Sequence, residues 1–384
     1  MIPYGKQDIS QQDIDAVVEA LKSDFLTQGP QVPIFENTLT SLTGAANAVA
    51  VNSATSALHI ACLALGLKPG DWLWTSPITY VASANCGLYC GANVDFVDID
   101  PHSWNMSPRA LAAKLVQAKQ ENCLPKVVVP VHLAGQSCDM QAIKKLADEY
   151  GFSIIEDASH AIGGQYKGKF IGNCEFSDIT VFSFHPVKIV TTGEGGAALC
   201  NDDALAQKMH LLRNHGVTRD ENLMQNTPHG AWYYEQVELG FNYRMTDIQA
   251  ALGVNQMQRL ETFVKRRHSL INNYQDQLKD LPLQLPCVAP DTYTAGHLYI
   301  VRLQLEKLRW THAEVFTKLR EQGIGVNLHY MPVYKQPYYS KMGFEGKKFP
   351  NAEHYYSEAI SLPLFPGMSE SQQQTVVAAL QDIL

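Results

Sequence analysis

The fold of this chain is decided by the stretch Val181-Phe182-Ser183-Phe184-His185-Pro186-Val187-Lys188, which leads into Thr191-Thr192-Gly193-Glu194-Gly195-Gly196. An apolar, strand-like segment ends at Pro186, because proline has no N–H with which to continue a β-ladder. The chain then delivers Lys188 into a glycine-rich turn, which lets backbone or a ligand approach closely. A lysine in such a confined place is desolvated, so its pKa falls and its neutral amine becomes a nucleophile toward carbonyl carbon. The stretch therefore predicts a lysine that forms a Schiff base, with a surface lysine in a flexible loop as the alternative.

A second stretch upstream, Ser153-Ile154-Ile155-Glu156-Asp157-Ala158-Ser159-His160-Ala161, favours the Schiff base. A short apolar run leads into Asp157 at the expected carboxyl end of a buried parallel strand, where the ligand crevices of open α/β sheets lie. A carboxylate beside a reactive lysine suits pyridoxal phosphate (PLP), because it keeps the ring nitrogen protonated so that the ring can accept electrons. Lys188 and Asp157 together therefore predict a PLP site.

The rest of the chain alternates short apolar runs with helical patterns, and the runs are continuous, as in parallel strands covered on both faces. Strands are predicted at residues 48–51, 72–76, 94–97, 127–131, 153–155, 179–184, 197–200 and 299–305, and helices at 8–25, 55–65, 108–120, 140–150, 203–212, 311–322 and 369–384. Residues 163–170 resemble the P-loop motif, but Phe170 occupies the position where the motif requires Ser or Thr. A hairpin is therefore predicted there. The sequence predicts an α/β fold with a three-layer α/β/α large domain (residues 1–260), built on a mostly parallel sheet, and a small C-terminal α+β domain (residues 261–384).

Composition narrows the class of protein. The 384 residues are 46% hydrophobic and 18% charged with a net charge of −8, which is typical of a soluble enzyme and argues against nucleic acid or an anionic membrane as partner. No apolar run is long enough to span a membrane, and the amino-terminal residues lack the apolar core of a signal peptide, so a cytoplasmic protein is expected. The eight cysteines lack paired spacing; reduced core cysteines and no metal site are predicted, with zinc near Cys86 and Cys90 as the minor alternative.

A phosphate site is predicted where Asn52-Ser53-Ala54-Thr55-Ser56 begins a helix. Small hydroxylated residues at a helix start leave N–H groups free at the positive end of the helix dipole, which attracts phosphate. A simple helix cap is the alternative.

The motifs taken together resemble the DegT/DnrJ/EryC-type family of fold-type I PLP aminotransferases, which act on nucleotide-linked keto sugars. The resemblance extends over nearly the whole chain. Its motifs are Leu26-Thr27-Gln28-Gly29, Asn52-Ser53-Ala54-Thr55-Ser56-Ala57-Leu58, Thr75-Ser76-Pro77-Ile78-Thr79-Tyr80, Glu156-Asp157-Ala158-Ser159-His160, Phe182-Ser183-Phe184-His185 with Lys188, Gly193-Glu194-Gly195-Gly196, Gly240-Phe241-Asn242-Tyr243-Arg244 and Ser361-Leu362-Pro363.

The resemblance implies a role for each matching residue. The catalytic residues would be Lys188, which carries PLP, Asp157 on the ring nitrogen and His160 near the phenolic oxygen. The other cofactor-binding residues would be Ala54, Thr55, Ser56 and Ser183 on the phosphate, Tyr80 on the ring face, and Asn242 reaching the phosphate of a partner subunit. The substrate-binding residues would be Gln28, Gly29, His185, Arg244, His329 and Tyr330. From the residues alone, Tyr80 could instead fill the core, His329 could be structural, and Gln28 with Gly29 could be a connector.

The resemblance also implies a reaction. Within the family, this chain is most similar to the aminotransferases of pseudaminic acid biosynthesis. The similarity lies in residues 52–58, Ala134-Gly135-Gln136 and Phe184-His185-Pro186. Such an enzyme moves the amino group of L-glutamate onto the C4 keto carbon of a UDP-linked 4-keto-6-deoxy-N-acetylhexosamine, passes through pyridoxamine phosphate, and works as a homodimer with shared active sites. Alternatives are a GDP-perosamine, dTDP-viosamine or UDP-bacillosamine type of substrate, or a regulatory protein that binds PLP without catalysis.

Overall fold

A computed structural model describes all residues, 1–384. The helices are α1 (Gln11–Lys22), α2 (Gln31–Thr43), α3 (Ala54–Ala64), α4 (Ala82–Tyr89), α5 (Pro108–Glu121), α6 (Met140–Tyr150), α7 (Asp203–Arg213), α8 (Asp247–Gln258), α9 (Leu260–Leu278), α10 (His312–Glu321), α11 (Pro337–Tyr339), α12 (Pro350–Glu358) and α13 (Glu370–Ile383). The strands are β1 (Asn47–Val51), β2 (Trp72–Thr75), β3 (Asn93–Phe96), β4 (Val127–Val129), β5 (Ser153–Asp157), β6 (Gln165–Tyr166), β7 (Lys169–Phe170), β8 (Ile179–Ser183), β9 (Gly196–Cys200), β10 (Val217–Thr218), β11 (Glu235–Gln236), β12 (Leu283–Gln284), β13 (Thr292–Tyr293), β14 (Tyr299–Leu303) and β15 (Ala359–Leu362).

Seven strands form the central sheet, in the order β1-β9-β8-β5-β4-β2-β3. The strands from β8 to β3 pair in parallel, whereas β9 runs antiparallel to both β8 and β1. The central strands β4, β8 and β9 are buried along their whole length, because helices cover both faces of the sheet. The predicted α/β architecture with a mostly parallel sheet is confirmed.

Helix starts follow local capping rules. Ser53 caps α3 by accepting a hydrogen bond from the N–H of Ser56, and Ser10, Thr246, Thr311 and Ser369 each form a capping box with the third residue of their helix. The helices predicted to begin near Ser10, Ser53, Thr311 and Ser369 are therefore confirmed, with ends shifted by a few residues.

The C-terminal part has its own three-stranded antiparallel sheet, in the order β12-β14-β15, and its own core. That core includes Leu270, Tyr299, Leu319 and Leu380. Helices α8 and α9 are separate and meet at Arg259, close to the predicted boundary at residues 260/261, and the division into two domains stays a prediction. The amino-terminal end also joins this region, since Ile2 forms a parallel bridge with Ile324.

Several predictions need correction. Helix α2 was missed, because Pro33 in its first turn and its threonines weaken the helical signal; its buried face is formed by Val32, Phe35 and Leu39. The first helix is shorter than residues 8–25, because the capping box places its start after Ser10.

The cysteines are all unpaired, but they do not all lie in the core. Cys287 is exposed and Cys123 is only partly buried, so the prediction of eight core cysteines is wrong for these two. No group of three or more histidine, cysteine or acidic side chains is arranged to hold a metal ion. None of the helices combines the length and the apolar character of a membrane-spanning segment. Residues 163–170 form the predicted hairpin, as β6 and β7.

Candidate active site

Asp157 ends β5 in the middle of the central sheet and is buried there. Two hydroxyl groups orient its carboxylate: Ser83 of α4 donates to Oδ2 at 2.6 Å, and Ser159 donates to Oδ1 at 2.6 Å. The backbone N–H of Ser159 adds a third hydrogen bond at 3.2 Å, in the Asx-turn pattern that the local sequence encodes. The carboxylate is therefore held in one orientation although no cation forms an ion pair with it.

Lys188 lies in the loop that follows β8, the strand paired with β5. It is partly buried, and its amine makes neither a hydrogen bond nor an ion pair. Burial lowers the pKa of this amine to about 8, although the negative charge of Asp157 acts in the opposite direction. At about pH 7.4 roughly a fifth of the amine is therefore neutral, far more than for a lysine with an ordinary pKa of about 10.4, and the neutral form is the nucleophile.

The predicted phosphate site is assembled from α3, β8 and β9. Ser183 pairs with Gly196 across β8 and β9, and a Cβ atom at Gly196 would lie only 2.4 Å from the backbone nitrogen of Ala54. The start of α3 therefore packs directly on β9, which only glycine permits. The Thr55 hydroxyl has no partner in the chain, whereas the Ser56 hydroxyl donates to Asn52 at 2.7 Å and its N–H is capped by Ser53. The free donors at this helix start are thus the N–H groups of Ala54 and Thr55 and the Thr55 hydroxyl.

His160, which is buried, and Tyr330, which is partly buried, contact each other near Lys188. The Nε2 atom of His160 lies 3.1 Å from the Tyr330 hydroxyl, and the two rings are nearly parallel with centroids 6.2 Å apart. Burial holds the pKa of His160 well below its usual range, and the repulsion that a protonated His160 would meet from Lys188, and from His329 when that histidine is also protonated, adds to the lowering. Tyr80 lies 6.4 Å from the Tyr330 ring and is 62% exposed, so the alternative that Tyr80 fills the core is wrong.

His329 faces the same region from the C-terminal part of the chain. Its Nδ1 atom lies 2.8 Å from the Ser361 hydroxyl, and Tyr355 donates to its backbone carbonyl at 2.6 Å. Burial and the charge of Lys188 lower the pKa of His329 to about 4. His329 is therefore a neutral group next to the reactive amine.

These residues fit PLP. The unpaired amine of Lys188, the oriented carboxylate of Asp157, the free donors at the start of α3 and the uncovered ring of Tyr80 are complementary to its aldehyde, ring nitrogen, phosphate and ring face.

Other predicted site residues lie apart from this group. Gln28, Gly29 and Arg244 line a separate cavity of about 680 Å³, whose walls include none of Lys188, Asp157 or His160. The predicted substrate-binding residues are therefore divided within one chain, with His329 and Tyr330 beside Lys188 and these three elsewhere.

Asn242 and His185 are exposed. The Asn52 side chain donates to the backbone carbonyl of Asn242 at 3.5 Å, and the side-chain amide of Asn242 makes no hydrogen bond within its own chain. His185 lies 4.0 Å from Glu194 at the rim of the lysine loop. Within one chain neither side chain reaches the Asp157 carboxylate.

Sequence reasoning missed several residues that orient the site. Ser159 could have been found from the Asp-x-Ser spacing, but Ser83 and His297 have no local signal, because each meets its partner only in the folded chain. His132, by contrast, is structural: its Nε2–H donates to Glu156 at 2.7 Å, and its Nδ1 accepts from the backbone N–H of Cys138.

Comparison with protein-family models gives one match over almost the whole chain. The DegT/DnrJ/EryC1/StrS aminotransferase family model matches residues 7–381. The chain is 39% identical over 386 residues to the spore coat polysaccharide biosynthesis protein SpsC of Bacillus subtilis, covering 100% of this chain and 97% of the relative. It is 37% identical over 385 residues to the UDP-4-amino-4,6-dideoxy-N-acetyl-beta-L-altrosamine transaminase of Campylobacter jejuni, covering 100% of this chain and 98% of the relative.

Solved structures show the same similarity. Helicobacter pylori PseC, an aminotransferase involved in the biosynthesis of pseudoaminic acid, matches with a TM-score of 0.90 and 29% identity, over 100% of this chain and 98% of the other. The PLP form of the sugar aminotransferase Spr1654 from Streptococcus pneumoniae, whose function is described as putative, matches with a TM-score of 0.88 and 28% identity, over 100% of this chain and 99% of the other.

Proposed function

The chain belongs to the DegT/DnrJ/EryC1/StrS aminotransferase family and is a PLP-dependent sugar aminotransferase, and from this premise we propose its donor and its acceptor. The donor is L-glutamate. The acceptor is the C4 keto carbon of a UDP-linked 4-keto-6-deoxy-N-acetylhexosamine, and the product is UDP-4-amino-4,6-dideoxy-N-acetyl-β-L-altrosamine, a precursor of pseudaminic acid. The names of the Campylobacter relative and of Helicobacter PseC support this acceptor.

The observation that carries the proposed chemistry is the unpaired Lys188 amine, with a pKa of about 8, in the loop that follows β8, the strand paired with the one that ends at Asp157. When bound, PLP supplies an aldehyde for the amino groups and a ring that accepts electrons from the carbon that loses its proton. Asp157, held by Ser83 and Ser159, would keep a proton on the ring nitrogen, and the start of α3 would hold the phosphate.

Proton movement falls to Lys188. The neutral Nζ of Lys188 would take the proton from Cα of glutamate, and in the second half-reaction the protonated Nζ would deliver a proton to C4 of the sugar. His160, Tyr330 and His329 line the space around this amine with neutral groups, so Asp157 is the charged partner that acts on it. Because the donor leaves as 2-oxoglutarate before the sugar reacts, ping-pong kinetics are expected.

A homodimer with shared active sites is part of the proposal. It is supported by the exposed, unengaged amide of Asn242 and by the separation of Arg244 and Gln28 from Lys188 within one chain. In a two-fold pair, the partner's Asn242 would reach the phosphate and its Arg244 an anionic group of the substrate.

Subunit mixing tests the shared site. Lys188→Ala and Asn242→Ala homodimers should both be impaired, and an equimolar refolded mixture should recover up to about a quarter of wild-type activity, since half of the dimers have one intact site of two. Recovery that does not exceed the sum of the parents would contradict a shared site. A mixture of Lys188→Ala with Lys188→Arg is the matched control and should recover nothing.

The acceptor is tested with a panel of UDP-, GDP- and dTDP-linked 4-keto sugars, with glutamate as donor and product analysis by mass spectrometry. The panel must be broad, because the SpsC relative is named for spore coat polysaccharide, and another nucleotide sugar is the second candidate acceptor. Release of 2-oxoglutarate without amination of the UDP sugar would refute the acceptor alone. Absence of 2-oxoglutarate would refute glutamate as the donor. The eight unpaired cysteines suit a reducing compartment, and the cytoplasm is the proposed location.

A further inference from the structure

A second histidine, His297, lies in the protein interior next to the candidate active site. It precedes β14, and its backbone N–H donates to the carbonyl of Ala134 at 2.9 Å. The adjacent Gly135 has a φ of +98°, and a Cβ there would lie 2.9 Å from the carbonyl oxygen of His160 and 3.1 Å from the nitrogen of His297. The turn at residues 133–135 therefore brings two segments that are distant in sequence into backbone contact.

The two imidazole rings pack on each other in the protein interior. Their centroids are 4.4 Å apart, and His160 and His297 are 5% and 3% exposed. The Nδ1 atom of each ring is buried without a hydrogen-bond partner, and the only partner of the His160 ring is the Tyr330 hydroxyl. Packing in this way excludes water from one side of His160.

A buried cation lies behind His297. Arg267 of α9 is 1% exposed, and its Nη1 donates to the carbonyls of Gly296 at 3.3 Å, His297 at 3.1 Å and Leu364 at 3.0 Å. It forms no ion pair with a carboxylate. A positive charge without a counterion in the interior makes a second positive charge nearby unfavourable, and the hydrogen bonds fix the loop that carries His297.

We propose that His297 is a positioning residue for amino transfer: backed by Arg267, its ring packs against His160 and keeps that imidazole neutral and fixed beside Lys188. The inference rests on the proposed placement of His160 near the phenolic oxygen of the cofactor. A neutral His160 leaves Asp157, on the ring nitrogen, as the charged group that draws electrons, whereas a protonated His160 would draw them toward the oxygen.

The ionisable groups around His160 include no carboxylate that would stabilise imidazolium. Lys188 and His329 lower its pKa, and the His297 ring and the Tyr330 hydroxyl contact its imidazole. The Asp157 carboxylate, three residues earlier in the chain, is engaged by Ser83 and Ser159. Burial and the positive neighbours lower the pKa values of both His160 and His297.

The test is an NMR pH titration of the full-length protein labelled with ¹⁵N-histidine, with and without PLP. The protein has 13 histidines, and the His160 signal is identified by its loss in His160→Gln. In wild type, His160 should stay neutral well below pH 6.5. His297→Ala lets water in behind the ring, so the His160 midpoint should move up toward about 6.5, and kcat should acquire an acidic limb there while KM for glutamate changes less.

His297→Phe is the matched control, because an aromatic ring of similar size keeps His160 dehydrated. It should leave the His160 titration as in wild type, and urea unfolding checks that both variants are folded. An unchanged His160 midpoint in His297→Ala would overturn the proposal, and so would equal shifts in both variants. Because protonation of His160 is measured directly, a wrong choice of sugar acceptor would leave this result unaffected.

Discussion

The acid sensitivity of the fold should depend strongly on His329, and the substitution His329→Gln tests this. His329 is buried, its Nδ1 lies 2.8 Å from the Ser361 hydroxyl, and its pKa is lowered to about 4 by burial and by the charge of Lys188. In the unfolded chain the pKa of a histidine is about 6.5. Between these two values the unfolded chain binds a proton that the folded protein does not, so the free energy of unfolding falls as the pH falls.

The size of the effect follows from the two pKa values. The contribution to stability is complete above about pH 6.5 and is lost as the pH falls toward 4. The interval of about 2.5 pH units corresponds to about 3.4 kcal/mol at the acidic limit, at about 1.36 kcal/mol per unit, and to about 2.5 kcal/mol at about pH 4.5. Glutamine can still hydrogen-bond to Ser361 but does not titrate, so the variant should lose this part of the pH dependence.

The assay is reversible urea unfolding of wild type and His329→Gln at about pH 7.5 and about pH 4.5, at constant ionic strength. Wild type should lose about 2.5 kcal/mol more than the variant between the two pH values. Any constant packing cost of the substitution cancels in this double difference. The matched control is His102→Gln, at an exposed position, which should keep the pH dependence of wild type. If the loss of unfolding free energy between the two pH values differed by less than about 0.5 kcal/mol between wild type and His329→Gln, the reasoning would be refuted.

Three further outcomes are expected. Lys188→Ala should lower kcat by at least about 10³-fold and abolish the response of the PLP absorbance to glutamate, because the variant lacks the amine that moves the proton; turnover within tenfold of wild type would assign the base elsewhere. Asp157→Asn should lower kcat by about 10²-fold or more in steady-state assays, because the neutral amide does not hold the ring nitrogen protonated, while the Ser83 hydroxyl can still donate to the amide oxygen and preserve the fold. Gly196→Ala should cost about 1–3 kcal/mol of stability by overpacking against Ala54 and weaken PLP retention on dialysis, measured by absorbance; unchanged retention would mean that the start of α3 does not hold the phosphate.

Much of the candidate active site could be predicted from local sequence. Lys188 follows a strand that ends before a proline and a glycine-rich turn, and Asp157 ends an apolar strand; both patterns fix the backbone over a few residues. The start of α3 is equally local, because Ser53 caps a helix whose first N–H groups remain free. The sequence did not determine whether His329 would be buried next to Lys188, because the residues around His329 are equally compatible with a purely structural histidine.

The contacts that orient these groups depend on the tertiary structure. Helix α2 is stabilised by packing on α8 rather than by the helix propensity of its own residues. For this reason the local sequence did not predict a helix there. Ser83 reaches Asp157 across 74 residues, and His297 reaches His160 through a turn that neither sequence neighbourhood describes.

The sequence by itself indicated most strand and helix segments, though not α2, and it singled out the candidate lysine, acid and helix start, because backbone preferences and apolar periodicity act over a few residues. Tertiary structure alone decided which of these lie together. The strand order β1-β9-β8-β5-β4-β2-β3 brings the ends of distant strands to one edge of the sheet, and the folded chain places Arg244 in a cavity whose walls do not include Lys188. Strand order is set by packing of the whole chain, a long-range free energy that no local pattern encodes.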